Sequence, residues 1–293
     1  MSDELEVDKR QLRRSFEQAA EKYDAAAILQ HEVCNRMLER LDYIKVAPTA
    51  ILDAGSGTGN ALDGLLERHP GKLLIALDIA LAMLERGRGR GRRRWWHSVP
   101  GLRPPLHAVC ADLERLPLGN ATIGLVWSNL ALQWVNDLPR TFKEMHRVLE
   151  PGGLLMFSTF GPDTLKELRS AYQGTDGRTH VNRFIDMHDI GDMLTSGGYA
   201  DPVMDMERFT LTYDGVRALM RDLKAIGAHN VTQGRPGSLS GKSLLRRVEQ
   251  SYEAFRRDGR LPATFEVVYG HAWKPLPRVS PTGRAVIDIK ARP

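Results

Sequence analysis

One stretch restricts the fold more than any other: Ile51-Leu52-Asp53-Ala54-Gly55-Ser56-Gly57-Thr58-Gly59-Asn60, an apolar run that ends in alternating glycines and is followed by Leu62, Leu65 and Leu66 at helical spacing. A strand, a tight glycine turn and a helix, in that order, open a parallel α/β sheet, because glycine lets the backbone turn sharply and come close to a ligand. Short apolar runs recur at 73–77, 106–110, 123–127 and 154–157, and before the last of them Leu138, Phe142, Met145 and Leu149 step at helical spacing. Such alternation predicts a doubly wound α/β fold with buried, mostly parallel strands.

Outside this core the pattern changes. Leu12, Phe16 and Ala20 mark one amphipathic helix and Ile28, Val33, Met37 and Leu41 another, broken near Tyr23-Asp24. After residue 160, helical stretches near 163–172, 187–196, 215–227 and 240–258 surround strand candidates at 203–213 and 264–272. The Pro-, Arg- and Lys-rich end, 275–293, is expected to be disordered. The reading is thus one domain in four parts: an N-terminal helical lid over 1–44, the core over 45–160, acceptor-side helices and last strands over 161–274, and the tail.

Composition narrows the function classes. With 42% apolar and 26% charged residues over 293, the chain has ordinary globular composition and enough length for a sizeable core. No run of 18 uncharged apolar residues suits a membrane span, and MSDELEVDKR has no apolar region after its charges, so a cytoplasmic protein is expected. The cysteines, Cys34 and Cys110, are too few for a disulfide framework or metal cluster; both lie in apolar-periodic segments and are expected to be reduced core residues.

Three nucleotide readings compete for the glycine turn. A P-loop would continue with Lys after its last glycine, and here Asn60 follows Gly59. A dinucleotide fingerprint runs G-x-G-x-x-G, whereas these glycines run G-x-G-x-G with Asp53 two residues upstream, where it would repel a pyrophosphate. A cationic ligand fits better, and S-adenosyl-L-methionine carries an ammonium and a sulfonium. Asp78 ends the next strand, where an acid can accept hydrogen bonds from both ribose hydroxyls. A glycine turn without a ligand is the bland alternative.

On these motifs the segment 45–160 resembles the class I S-adenosylmethionine-dependent methyltransferases, a family with a seven-stranded, mostly parallel Rossmann-like sheet, here with N-terminal helices and a C-terminal helical insertion over the active site. The resemblance implies cofactor contacts from Asp53, Gly55, Gly57, Gly59 and Asp78, an adenine site at Asp112 and Leu113, and Asn129 beneath the methionine portion. Asn129 could equally be a strand-end turn residue, and Trp134 core. The stretches Phe16 to Gln30, Ser158-Thr159-Phe160-Gly161, Asn182-Arg183-Phe184-Ile185-Asp186-Met187-His188 and Arg260-Leu261-Pro262-Ala263-Thr264 are similar to the malonyl-acyl-carrier-protein O-methyltransferases of biotin synthesis. That narrower resemblance implies methyl transfer from S-adenosyl-L-methionine, leaving S-adenosyl-L-homocysteine, to the carboxylate of a malonyl thioester on acyl carrier protein. An arginine-hydroxylating respiratory-complex assembly factor and a quinone-type small-molecule methyltransferase remain alternatives.

A carboxylate is ionised at neutral pH and needs no general base, so the catalytic expectations are positional. Arg183 is expected to clamp the carboxylate, against the alternative of a surface ion pair with Asp186, and Tyr23 to close the pocket, against simple helix packing. Net charge is +5, concentrated in Arg86, Arg88, Arg90, Arg92, Arg93, Arg94 and Arg103, with no acid between them. This run is a candidate docking loop for the acidic carrier, or merely a solvated basic loop. No Asn-Pro-Pro-Tyr turn follows strand four, so nucleic acid is not expected as a substrate.

Overall fold

The computed structural model describes residues 6–88, 90, 106–173, 175, 180–227 and 242–277. Three helices lead into the core: α1 (Lys9–Ala19), the single turn α2 (Tyr23–Ala26) and α3 (Ile28–Leu41). Asp8 starts α1 because its carboxylate accepts the N–H groups of Arg10 and Gln11, both at 3.0 Å. Where the sequence predicted only a break near Tyr23-Asp24, the structure inserts the extra turn α2.

The core then runs β1 (Ala50–Ala54), α4 (Leu62–Arg68), β2 (Leu73–Asp78), α5 (Leu81–Gly87), β3 (Leu106–Cys110), β4 (Ile123–Asn129), α6 (Leu138–Val148) and β5 (Leu149–Phe160). It is followed by α7 (Lys166–Tyr172), α8 (Met187–Ser196), β6 (Ala200–Tyr213), α9 (Val216–Ala225), α10 (Lys242–Tyr252) and β7 (Leu261–Trp273). Helix α8 occupies the predicted 187–196, because the Asp186 side chain caps it through the His188 N–H at 2.8 Å. The other helices of this half are shorter than expected from apolar spacing alone.

The strands form one seven-stranded sheet in the order β3-β2-β1-β4-β5-β7-β6. Pairings among β1 to β5 are parallel, and β7 runs antiparallel to both β5 and β6. The expected doubly wound fold is therefore present, with a long β6–β7 hairpin closing one edge. Core side chains fill both faces: Val33, Met37, Leu62 and Trp127 lie on one side, and Phe142, Met145, Leu155 and Phe157 on the other.

Two expectations need correction. Strand β3 is the opposite edge of the sheet, with His107, Ala108 and Cys110 exposed, so Cys110 is not a core residue, whereas Cys34 is fully buried. An apolar run reports that a strand exists, but not whether a neighbour covers it. Leu149, placed in helical step with Met145, instead begins β5 after α6 ends at Val148, and the register shifts between Ile123 and Leu125 of the partner strand. The arginines at 92–94 and 103, and 278–293 of the expected disordered tail, lie outside the described residues.

Candidate functional site

The chain goes outward from β1 to β2 and β3, then returns to β4 on the other side of β1, so the crevice at the carboxyl ends of β1 and β4 is the switch point where open α/β sheets bind ligands. A pocket open at its mouth lies there, at the position where open α/β sheets take small-molecule ligands. Every one of the first five strands contributes to it at its carboxyl end: Gly55 and Gly57 after β1, Asp78 and Ile79 at β2, Asp112 and Leu113 after β3, Asn129 at β4, and Phe160 at β5. Lys9, Leu12 and Phe16 of α1 and Tyr23 of α2 form the roof, joined by Ile226 at the end of α9.

The glycine turn is built around the Asp78 carboxylate. Its Oδ2 accepts the Gly57 N–H at 2.9 Å and its Oδ1 the Ala80 N–H at 2.8 Å. Both Gly55 and Ser56 donate their N–H groups to the Leu77 carbonyl, at 2.8 and 2.9 Å. The three glycines have φ of +81°, +54° and +81°, a region costly for other residues, and they do different things. A Cβ on Gly55 would lie 2.3 Å from Ala131 Cβ, and one on Gly59 2.5 Å from Leu62 Cδ1, so these two permit close packing. A Cβ on Gly57 would meet nothing within 4 Å; its surface is open to the ligand space.

Of the sequence-predicted site residues, Gly55, Gly57, Asp78, Asp112, Leu113, Asn129 and Tyr23 line this one cavity. Asp53, Gly59 and Arg183 do not. Asp53 sits beneath the turn on β1, 2% exposed, with Oδ2 lacking a hydrogen-bond partner among the described residues. Burial, with the nearby Asp78 charge, pushes its carboxyl up to about 8. Burial likewise raises Asp78 to about 6, against the pull of the N–H groups it accepts. Two buried carboxyls at the floor of the turn, Asp78 held by backbone N–H groups and Asp53 with one oxygen lacking a partner among the described residues, make a site that favours a cation. Tyr23 is raised too, first by burial and then by the charges of Asp78 and Asp24, so its hydroxyl stays protonated at neutral pH.

Asn129 is held rather than free: its amide donates to the Gln30 carbonyl at 3.0 Å and its oxygen accepts the Ser158 hydroxyl at 2.9 Å. The next residue, Leu130, has φ of +47° and gives its N–H to Ser158 Oγ at 3.0 Å. The turn beneath the ligand space is thus locked to β5. Arg183 is exposed in the irregular stretch before α8, but the neighbouring Phe184 packs edge-on against the cavity residue Phe160 at 5.6 Å.

Sequence reasoning missed Lys9, Gln30 and Gln133, which also line the cavity. Lys9 Nζ lies 3.1 Å from Asp112 and 3.0 Å from Glu114, over a gap of more than a hundred residues that no local pattern bridges. Gln133 is fixed by donation to the Leu130 carbonyl at 2.6 Å, and it falls within the segment after β4 that the sequence had singled out. Trp134, with a possible core role, instead lines the cavity and meets Phe16 edge-on at 5.7 Å.

The buried carboxyl pair, the open face at Gly57 and the acids at the ends of β2 and β3 fit S-adenosyl-L-methionine. Among the described residues no cluster of His, Cys, Asp and Glu could hold a metal ion, and no helix is long and apolar enough to cross a membrane.

Comparison with known proteins agrees. Residues 52–157 match the family model described as a methyltransferase domain. A protein of Gallionella capsiferriformans named malonyl-[acyl-carrier protein] O-methyltransferase is 58% identical over 97% of this chain and 97% of its own length. One of the same name from Nitrosospira multiformis is 57% identical over 94% of this chain and 92% of its own. Among solved structures, the YcgJ protein of Bacillus subtilis aligns with a TM-score of 0.56 at 14% identity, covering 84% of this chain and 99% of its own. A SAM-dependent methyltransferase from Thermotoga maritima aligns at 0.51 and 16%, covering 90% and 99%. Those two likenesses concern the fold.

Proposed function

The chain belongs to the malonyl-[acyl-carrier protein] O-methyltransferase family, and from that premise we infer how its cavity serves the reaction. It is an S-adenosylmethionine-dependent carboxyl methyltransferase that methylates the free carboxylate of a malonyl thioester carried on acyl carrier protein. The observation that carries the cofactor side is the convergence of Gly57, Asp78 and Asp112 on one cavity at the switch point of the sheet.

When bound, the cofactor supplies an electrophilic sulfonium methyl. The protein's part is to hold and to dry. Asp78 accepts from the ribose, Asp112 and Leu113 receive the adenine, and the glycine turn gives close approach to the methionine portion. Asp53, one layer below, acts without contact, a cation seated above favouring its ionised form, and Gly59 acts through packing. Since the malonyl carboxylate is already ionised, no side chain has to remove a proton, and none lining the cavity is arranged as a base. Holding the two reactants in line can supply roughly 7–11 kcal/mol of the barrier reduction. Phe16, Tyr23, Trp134 and Phe160 keep water out, which favours a step in which opposite charges cancel.

Tyr23, protonated and facing the cavity, is placed to donate a hydrogen bond to the acceptor carboxylate. For Arg183 we propose a clamp at the mouth: it adjoins Phe184, which packs on Phe160, so a carboxylate entering past Phe160 comes within its neighbourhood. For the carrier we propose docking at the arginine run. Arg86 and Arg90 are engaged with the Glu21 carbonyl and Asp24 respectively, so these two serve the roof rather than the acidic partner.

The deciding experiment incubates the protein with methyl-labelled S-adenosyl-L-methionine and malonyl-acyl carrier protein. Label recovered as a base-labile methyl ester on the carrier is expected; a protein that binds the cofactor but leaves no label on the carrier would overturn the assignment.

A further inference from the structure

Helix α2 presents a question of its own. It has only four residues, has no side-chain cap at its start and buries none of its side chains, so it is too short to hold itself. Yet it carries Tyr23 into the roof of the cavity. What fixes it is the next residue. Asp24 Oδ1 accepts the Thr58 hydroxyl at 2.5 Å, and Asp24 Oδ2 accepts Arg90 Nη2 at 2.5 Å. Thr58 is 1% exposed and lies in the middle of the glycine turn, so its hydroxyl is a fixed anchor. Arg86 adds a bond to the Glu21 carbonyl at 2.9 Å, just before the helix. His31, whose Nε2 is 4.0 Å from Asp24, has no other partner on that nitrogen among the described residues.

We propose that Asp24 is the latch of the roof: by joining α2 to Thr58 it holds Tyr23 closed over the glycine turn and sets how long the cofactor and its product stay bound. Asp24 does not line the cavity, so it is a positioning residue that acts through Tyr23 and the turn. Tyr23 overhangs a ligand seated beside Gly57, so the ligand leaves faster when α2 moves aside. The polar ties on the α1 side, Lys9 to Asp112 and Glu114 and Val7 to Asn136, lie at the far end of the roof. Breaking the Asp24–Thr58 bond therefore loosens the Tyr23 end, which is left with the Arg86 bond and the packing of Tyr23 on the Ala19, Ala20, Ala80 and Met83 cluster. The carboxylate binds both the turn and Arg90, so its charge is compensated while it, like Asp78, acts on Tyr23.

The inference rests on the reading of the cavity as the cofactor site, and dissociation of S-adenosyl-L-homocysteine from the full chain tests both. Asp24→Ala and Thr58→Val are each expected to speed dissociation about 5- to 20-fold, between the worth of a neutral hydrogen bond and that of one to a charged group, since Asp24 is exposed. The melting temperature should stay within about 2 °C of the parent, since the bond is local and Asp24 is partly exposed. The double variant should be no more than about twofold faster than the faster single one, because both remove the same bond. Thr58→Ser, which keeps the hydroxyl, should match the parent. In the parent itself, amide exchange over residues 20–31 should slow on adding the homocysteine product. Single variants within twofold of the parent, effects that multiply in the double variant, or unchanged exchange over 20–31 would each overturn the latch. Failure of the parent to bind the homocysteine product would overturn the cofactor reading and the latch with it.

Discussion

Lys9 Nζ stands 3.1 Å from Asp112 Oδ1, so the first turn of the N-terminal roof is tied to the carboxylate proposed for the adenine amine. Both side chains are partly exposed, which limits such a pair to about 0.2–1 kcal/mol. Lys9→Met is therefore expected to weaken S-adenosyl-L-methionine binding by less than about fivefold, and less at high salt. Calorimetry at low and high ionic strength checks this; a loss above tenfold would mean that Lys9 contacts the ligand itself.

Asp78 organises the glycine turn and faces the ligand. Asp78→Ala should cost about 1.5–3 kcal/mol of cofactor affinity, the worth of hydrogen bonds to a charged group. Isothermal titration reads it directly. Affinity equal to the parent's would remove Asp78 from the ribose site.

The buried carboxyls make a statement about pH. Asp53 is raised to about 8 and Asp78 to about 6, against about 3.9 in an unfolded chain. Between those values the folded protein holds more protons than the unfolded one. The stability they contribute is complete below about pH 4 and is lost as pH rises through 6 and then 8. Buried histidines such as His146 and His271, lowered by burial, oppose the trend below their usual range. The window from pH 7 to 8.5 therefore isolates Asp53. Without ligand, the melting temperature should fall across it, Asp53→Asn should flatten the fall, and bound cofactor should do the same. A parent curve that is flat or rising over that window would contradict the buried, partner-poor carboxyl.

The acceptor-side roles separate by kinetics. Arg183→Ala and Tyr23→Phe should each lower kcat/KM for malonyl-acyl carrier protein by about tenfold or more, the worth of a bond to a carboxylate in a dry site. Cofactor affinity should change by less than threefold for Arg183→Ala, which lies outside the cavity. Steady-state assays with saturating cofactor decide it. Parental activity in Arg183→Ala would move the clamp to the neutral donors Gln30 and Gln133.

Docking by charge acts mainly on association. Changing Arg92, Arg93 and Arg94 to Ser should raise KM for malonyl-acyl carrier protein and flatten its salt dependence. Turnover of a small malonyl thioester should stay the same. If the triple variant handles the carrier like the parent at low salt, the carrier meets other basic residues, such as Arg221 or Arg246.

The sequence by itself determined the order of strands and helices, the glycine turn and the acids at the strand ends. These are local signals: two-residue and 3.6-residue periods, glycines where φ is positive, and an acid a fixed distance along a βαβ unit. For that reason Gly57 and Asp78 could be named before any fold was known, and Asp112 and Asn129 through the family resemblance those motifs carry. What only the tertiary structure decided were relations across the chain. It placed β3 at an edge, which exposes Cys110, and it put Asp53 beneath the turn and Gly59 into packing rather than into the cavity. It also brought Lys9 to Asp112 and Asp24 to Thr58. No period along the chain encodes those pairs, because they arise from the crossing of α1 and α2 over the carboxyl end of the sheet. Arg183 shows the same limit: its place in an irregular stretch was legible, but its distance from the cavity depended on how Phe184 packed against Phe160.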